Sequence, residues 1–368
     1  MTEPMIYYPL PNIYKIAVLR ANALGDFIFA LPALNALRST YPQAEIVLLA
    51  RSWHKEFLAN RPGAIDRVIV IPEGGIGNES EIKQDPTELK MFFEAMQKEH
   101  FDLAIQLHGG GRNSNPFTLQ LGAKMTIGLR TPDAPILDRW IPYIYYQPEI
   151  LRYLEVVALV GAKTSELEPS LIVTKSDLLE AEKVVPKTHK PLVALHPGAG
   201  DPRRRWSIEN FAIVGDTLAE AGAEIVVTGI ESERDIVEGV INNMKAKAEN
   251  LCDRLSLNGL TGLLSRCSLL ISNDSGPLHV AAAVGTATVG IYWCGNLITA
   301  GQITRTRHRP AISWRLNCPI CGVNCTTEAA CKHRVSFVDE VSTEQVITSA
   351  LDLLKTPIHL NKIESCTH

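Results

Sequence analysis

The sequence predicts an α/β protein built from two doubly wound domains, and three observations predict it. Strand-like and helix-like segments alternate along most of the chain. Several strand segments are unbroken Val, Ile and Leu runs, as expected of parallel strands covered on both faces. The alternation then restarts after a polar, Pro-containing stretch from Thr164 to Pro191. The restart places a first domain over residues 1–175 and a second over 176–342. A closing helix at about 343–356 could pack back on the first domain.

Taken in order, the first-domain strands are expected at Lys15–Arg20, Ala44–Arg51, Arg67–Ile71, Asp102–Leu107 and Met125–Leu129, with helices at Phe27–Thr40 and Thr87–Glu99. The second domain offers strands at Pro191–His196, Glu224–Thr228, Leu269–Ser272 and Thr288–Tyr292, and helices at Ile208–Ala221, Glu233–Asn243 and Gly259–Ser265. Gly74–Pro86, rich in Gly and Glu, and Arg130–Pro148, rich in Pro, Tyr and Trp, read as segments at a cleft edge.

Ser268–Tyr292 carries the most functional information. A buried strand runs into a polar turn at Asn273, Asp274, Ser275 and Gly276; Pro277 opens a helix that Gly285 closes; a second apolar strand follows. Such a turn leaves backbone N–H groups free at a helix N-terminus, with a Ser hydroxyl beside them and no Cβ at Gly276 to hold an anion away, which suits phosphate.

Composition limits the alternatives. A chain of 368 residues, 46% hydrophobic and 21% charged, is globular rather than disordered. The formal charge of −4 argues against a general nucleic-acid binder, although Arg203-Arg204-Arg205 forms a local basic cluster. The first residues lack the pattern of a signal peptide, and no window reaches the ~18 apolar residues of a membrane span, so a cytoplasmic location is expected. Of eight cysteines, Cys318, Cys321, Cys325 and Cys331 crowd one segment, unlike a disulfide framework.

Four motifs, in order, resemble those of the ADP-heptose:lipopolysaccharide heptosyltransferases, glycosyltransferase family 9. They are Ile16-Ala-Val-Leu-Arg-Ala-Asn-Ala-Leu-Gly-Asp26 followed by Ala30-Leu-Pro-Ala-Leu34; Leu195-His-Pro-Gly-Ala-Gly200 with Arg204-Arg-Trp206; Asn273-Asp-Ser-Gly-Pro-Leu-His279; and the cysteine-bearing tail. The resemblance spans roughly residues 14–352. It implies a GT-B architecture, in which two Rossmann-like domains face each other across a cleft, the first holding the acceptor and the second the nucleotide sugar. It also implies an inverting transfer that needs no catalytic cofactor or metal, from an ADP-sugar such as ADP-heptose to a hydroxyl of a glycan or glycolipid such as lipopolysaccharide core, with at most transient membrane contact.

Chemistry can then be assigned position by position. An inverting transferase needs a base for the acceptor hydroxyl, and Asp26, at the C-terminal edge of the first strand, is the candidate; its bland role is a helix cap. Arg203, Arg204 and Arg205 follow the loop bearing Gly198 and could stabilise a departing diphosphate, or be a solvated turn. Family members often carry Lys-Arg-Trp where this chain has Arg204-Arg205-Trp206, which changes the phosphate geometry. Asp274, Ser275, Gly276 and His279 form the second donor site, with Asp274 placed by the resemblance against sugar hydroxyls; capping and a satisfied helix histidine are the alternatives. Glu231 is either a ribose or base ligand or a surface carboxylate. Arg112 and Asn113, after the glycines of His108-Gly-Gly-Gly, offer donors for the acceptor, or belong to a tight turn. The tail reads C-x2-C-x3-C-x5-C-x-His333, four soft ligands for a structural Zn or Fe, or packed thiols. Rival functions are a related transferase with another nucleotide sugar or a protein or small-molecule acceptor, and a non-catalytic sugar-nucleotide-binding protein.

Overall fold

The computed structural model describes residues 7–74, 76, 85–326 and 331–355. Most of the Gly74–Pro86 loop, Cys366 and the last position of the expected closing helix lie outside them.

The first sheet contains β1 (Lys15–Leu19), β2 (Glu45–Ala50), β3 (Arg67–Val70), β4 (Leu103–Gln106), β5 (Met125–Arg130) and β6 (Arg139–Pro142). Its order is β3-β2-β1-β4-β5-β6, every pair parallel. The second contains β7 (Leu192–His196), β8 (Glu224–Gly229), β9 (Ala248–Cys252), β10 (Leu269–Asn273), β11 (Ala287–Trp293) and β12 (His308–Ser313), ordered β12-β11-β10-β7-β8-β9 and again all parallel. Numbered within its own domain, each sheet runs 3-2-1-4-5-6. That order puts a crevice where its direction reverses, between β1 and β4 and between β7 and β10. Asp26 lies in the first turn of the helix that follows β1, and the loops leaving β4, β7 and β10 carry His108, Gly198 and Asp274.

Helices cover both faces: α1 (Leu24–Thr40), α2 (Ser52–Leu58), α3 (Pro86–Gln97), α4 (Ser114–Gln120), α5 (Glu149–Ala158), α6 (Lys175–Val184), α7 (Ile208–Glu220), α8 (Arg234–Asn243), α9 (Leu257–Arg266), α10 (Gly276–Ala283), α11 (Cys294–Ala300) and α12 (Thr343–Lys355). Helix α1 is apolar nearly all round because it is covered nearly all round: it packs against α5 of its own domain and against α10 of the other. One apolar core therefore runs from Ile16 and Phe27 to Leu270 and Leu278 without a break between the sheets.

On the far side of this contact, the buried Arg61 guanidinium donates to Asp177 (Nη1–Oδ2 2.7 Å) and to Asn258 (2.9 Å), joining α2's end to α6 and α9. Asp177 also accepts from the Thr174 backbone N–H in the capping box that starts α6.

The closing helix corrects one expectation. Val346, Ala350 and Leu353 of α12 join the core of the second sheet, beside α7 and β10 to β12, rather than returning to the first domain. Its amphipathic face had no sequence label for which sheet it would cover. Arg130–Pro148, expected at a cleft edge with no strand assigned, contains the edge strand β6.

Candidate active site in the cleft

The first half of the site is built on a buried arginine. Arg20 is 1% exposed at the end of β1, and the Tyr153 ring lies 4.7 Å below its guanidinium. It donates to the carbonyls of Asp26 (3.0 Å) and Leu107 (2.7 Å), and its Nη2 lies 3.0 Å from Asp26 Oδ1 and 3.5 Å from Glu149 Oε2. Asp26 Oδ2 accepts from the Ala23 N–H at 3.1 Å, so the carboxylate also caps α1 while a third of its side-chain surface stays open. The capping and catalytic readings of Asp26 are thus compatible. Burial raises the Glu149 carboxyl above its usual range against the pull of Arg20 and Arg152. The imidazole of His108 accepts from the Ala21 N–H and is held down to about 3 by burial, with Arg20 and Arg51 pushing the same way.

The second half is built on β7 and β10. Asn273 accepts the Trp206 backbone N–H at 3.0 Å and donates to Pro197 O at 2.7 Å, fixing the arginine loop against the Gly198 loop. Trp206 is buried and donates its indole N–H to Val341 O. Asp274, 3% exposed, lies 3.2 Å from Arg204 Nη1 and 3.2 Å from His279 Nε2; a carboxylate only accepts, so that nitrogen carries the proton. Ser275 sits at the N-cap of α10, its hydroxyl 3.1 Å from that of Ser272 rather than on the first-turn N–H groups. The α10 N-terminus therefore carries no side-chain cap, and the positive end of the helix faces the turn.

The two halves touch. A Cβ on Gly25 would lie 2.8 Å from His279 Cδ2, and one on Gly276 would lie 3.0 Å from Leu24 Cδ2, so the N-termini of α1 and α10 abut. Phe29 packs edge-on to His279 at 4.5 Å. Beside them a cavity of about 380 Å³ opens between the domains, lined by Tyr145 and Tyr146 from the first and by Arg203, Arg204, Trp293 and Asn296 from the second.

The three arginines divide their work. Arg204 lies on Asp274; Arg203 is held by Asp201 (Nε–Oδ1 3.1 Å) at the cavity edge; Arg205 donates to Ala199 O at 2.8 Å. Gly198 is needed because any side chain would strike Glu233, whose carboxylate would lie 2.1 Å from the Cβ. Glu233 is the buried carboxylate of this loop: it accepts the Ile230 N–H and lies 4.0 Å from His196, whose pKa burial lowers while Glu233 resists. Glu231 is instead exposed and paired with Arg234. Arg112 is exposed and paired with Asp133 at 3.1 Å, away from the Asp26–Asp274 centre, and Asn113 directly precedes α4. Sequence reading missed Glu233 and Glu149, whereas Arg130–Pro148, expected at a cleft edge, does supply Tyr145 and Tyr146 to the cavity wall. The one available signal was Glu233's place three residues after the N-cap of a short turn, a capping-box position.

The cysteine segment also needs correction. Cys318, Cys321, Cys331 and His333 bring their ligand atoms within 4.8 Å of one another, whereas Cys325 points its sulfur at Val323 O (3.5 Å) and lines the cavity.

Two Rossmann-like domains, apposed across a cleft that holds a carboxylate on one side and an arginine-flanked helix N-terminus on the other, make up the GT-B fold. The chain belongs to glycosyltransferase family 9 (heptosyltransferase), whose model matches residues 90–322. It is 26% identical over 298 residues to lipopolysaccharide heptosyltransferase 2 of Salmonella typhimurium, covering 76% of this chain and 82% of that protein. Among solved structures it is similar to the glycosyl transferase family 9 of Veillonella parvula DSM 2008 (TM-score 0.80, 21% identity, 94% and 99% of the two chains). It is also similar to the E. coli ADP-heptose lps heptosyltransferase II (TM-score 0.71, 19% identity, 92% and 98%). No helix among the described residues is long and apolar enough to cross a membrane.

Proposed function

We propose that this chain transfers heptose from ADP-heptose to a hydroxyl of a lipopolysaccharide-core acceptor, with inversion and without a catalytic metal. The observation that carries the proposal is the abutment of α1 and α10, which presents Asp26 and the Asp274–Arg204 pair to one cleft. The names of the similar enzymes supply the donor and the acceptor class. In the step proposed, the acceptor oxygen attacks the anomeric carbon from the face opposite the diphosphate and its proton passes to Asp26. The anomeric C–O bond to the β-phosphate breaks, and its electron pair leaves on ADP. Arg204 and the α10 N-terminus supply the positive potential where that charge gathers. Asp274 orients sugar hydroxyls. Arg20 needs no proton exchange; it holds Asp26 in place.

The test is a nucleotide-sugar thermal-shift screen followed by transfer assays. ADP-heptose should raise the melting temperature more than UDP- or GDP-sugars, because only ligands of the folded state stabilise it. Transfer should continue in EDTA, with the new linkage of opposite anomeric configuration. A larger shift with UDP-glucose overturns the donor, loss of turnover restored only by Mg²⁺ overturns the metal-free step, and binding without transfer or hydrolysis favours a sugar-nucleotide-binding protein.

A further inference from the structure

We propose that Cys318, Cys321, Cys331 and His333 bind a single zinc ion, and that this ion fixes the cleft wall formed by the hairpin at residues 316–326. Three distances carry the argument. Cys318 Sγ and His333 Nδ1 are 3.6 Å apart, Cys331 Sγ and His333 Nδ1 3.7 Å, and Cys321 Sγ and Cys331 Sγ 3.7 Å. A tetrahedron with Zn–S of about 2.3 Å and Zn–N of about 2.05 Å has edges of roughly 3.8 Å between sulfurs and roughly 3.6 Å between sulfur and nitrogen. All four atoms lie within 4.8 Å of one another, so one centre can serve them all.

The backbone is shaped for this before any ion arrives. Gly322 donates its N–H to Cys318 O at 2.9 Å and takes φ +72°, the left-handed conformation that lets the chain turn tightly behind Cys321. Cys318 N–H to Val323 O (2.9 Å) and Cys325 N–H to Leu316 O (3.0 Å) close the hairpin. None of the seven described cysteines is in a disulfide. Thiols are weak hydrogen-bond partners, so gathering three with an imidazole gains little unless a cation binds, and three thiolates with one imidazole suit zinc or iron. Cys3His is a structural zinc set, with no open position for substrate.

The position of the cluster gives the ion a role. Ligands Cys318 and Cys321 lie on the hairpin, which ends at Thr326, where O accepts from Tyr146 Oη of the first domain at 2.8 Å. Ligands Cys331 and His333 begin the segment that holds the arginine loop: Phe337 N–H donates to Arg203 O (2.8 Å) and Ser336 Oγ to Arg205 O (2.7 Å). One ion would join the two, tying the Tyr146 wall to the backbone of Arg203–Arg205.

The test measures metal in the full chain, without any sugar donor, so its outcome is independent of the transferase reading. Elemental analysis should find about one zinc per chain, released when a mercurial titrates the wild-type thiols. Cys331→Ser and His333→Ala should lose it and melt at lower temperature, with faster amide exchange at Gly322 and Cys325. His333→Cys, which restores four ligands, and Cys325→Ser should keep it. Absence of stoichiometric metal in the wild type overturns the site, as does retention by Cys331→Ser; loss from Cys325→Ser overturns the ligand set, and iron in the same stoichiometry overturns the zinc assignment. The mercurial arm needs no variant and decides the matter even if a variant fails to fold.

Discussion

Gly25 and His279 meet across the domain boundary with no room for a single added carbon: a Cβ at position 25 would lie 2.8 Å from the imidazole Cδ2. The imidazole cannot readily retreat, being 5% exposed, hydrogen-bonded to Asp274 and packed on Phe29. Gly25→Ala is expected to destabilise the protein by about 1–3 kcal/mol, the usual cost of overpacking, and to weaken nucleotide binding by displacing Asp274. Denaturant unfolding and nucleotide titration check both. Unchanged binding with intact stability would mean that the two helix ends part without consequence.

Asp26→Asn should lower turnover by about 10² to 10⁴ while leaving nucleotide affinity nearly unchanged, because the lost proton acceptor acts on the acceptor sugar. The amide oxygen of Asn can still accept the Ala23 N–H, so the cap on α1 survives. Slow single turnover with nucleotide affinity close to wild type is the expected pairing; near-native turnover would leave Asp26 only as a cap.

Arg61→Ala removes one partner of a pair whose side chains are 2% and 1% exposed, leaving Asp177 charged in the interior. A loss of about 3–5 kcal/mol is expected, against a much smaller effect for Arg112→Ala at its exposed pair with Asp133. Equal effects in urea unfolding would refute the burial argument.

Acid stability should be governed in part by His54, fully buried against Trp53 and Phe27 with neither ring nitrogen in a well-formed hydrogen bond. Burial holds its pKa down to about 3, and Arg20 and Arg51 add to the effect. A base depressed in the folded state contributes its stability above its unfolded pKa of about 6.5 and loses it as pH falls toward 3, because the unfolded chain takes up the proton first. The slope from this residue is about 1.4 kcal/mol per pH unit within that window. His54→Phe should flatten the decline between pH 6.5 and 4. Unfolding midpoints at several pH values, equally steep for wild type and variant, would remove His54 from the account.

Much of this architecture is legible in the sequence because parallel strands must be apolar on both faces. β1, β2, β7, β10 and β11 are short, largely apolar runs bounded by turn signals, the length and flanks of a buried strand rather than of a helix. The edge strands β6 (RWIP), β9 (AENLC) and β12 (HRPAIS) escape such reading because an edge is covered on one side only and admits Pro and charge. The same limit acts in the site. Asp26, Asp274 and Arg204 stand at strand ends, where ligands of doubly wound sheets gather. Glu233 and Glu231 differ by two positions on one short turn, and only the turn's geometry decides that the first is buried under Gly198 and the second faces water. Cys325 and His333 pose the same problem: spacing counts ligands, while the hairpin's φ angles choose among them.

Among the polar contacts that cross between the domains, two at opposite ends are unequal. Rupture of Arg61–Asp177 strands a buried charge, at about 3–5 kcal/mol, whereas the exposed Tyr146–Thr326 bond exchanges with water for about 0.5–1.5 kcal/mol. Arg61 shares a small cavity with Leu34 and Asn35, toward the end of α1 remote from Asp26. The seam between the domains is therefore uneven: a buried ion pair beside a continuous apolar core at the Arg61 end, and at the Tyr146 end a bond that water can replace.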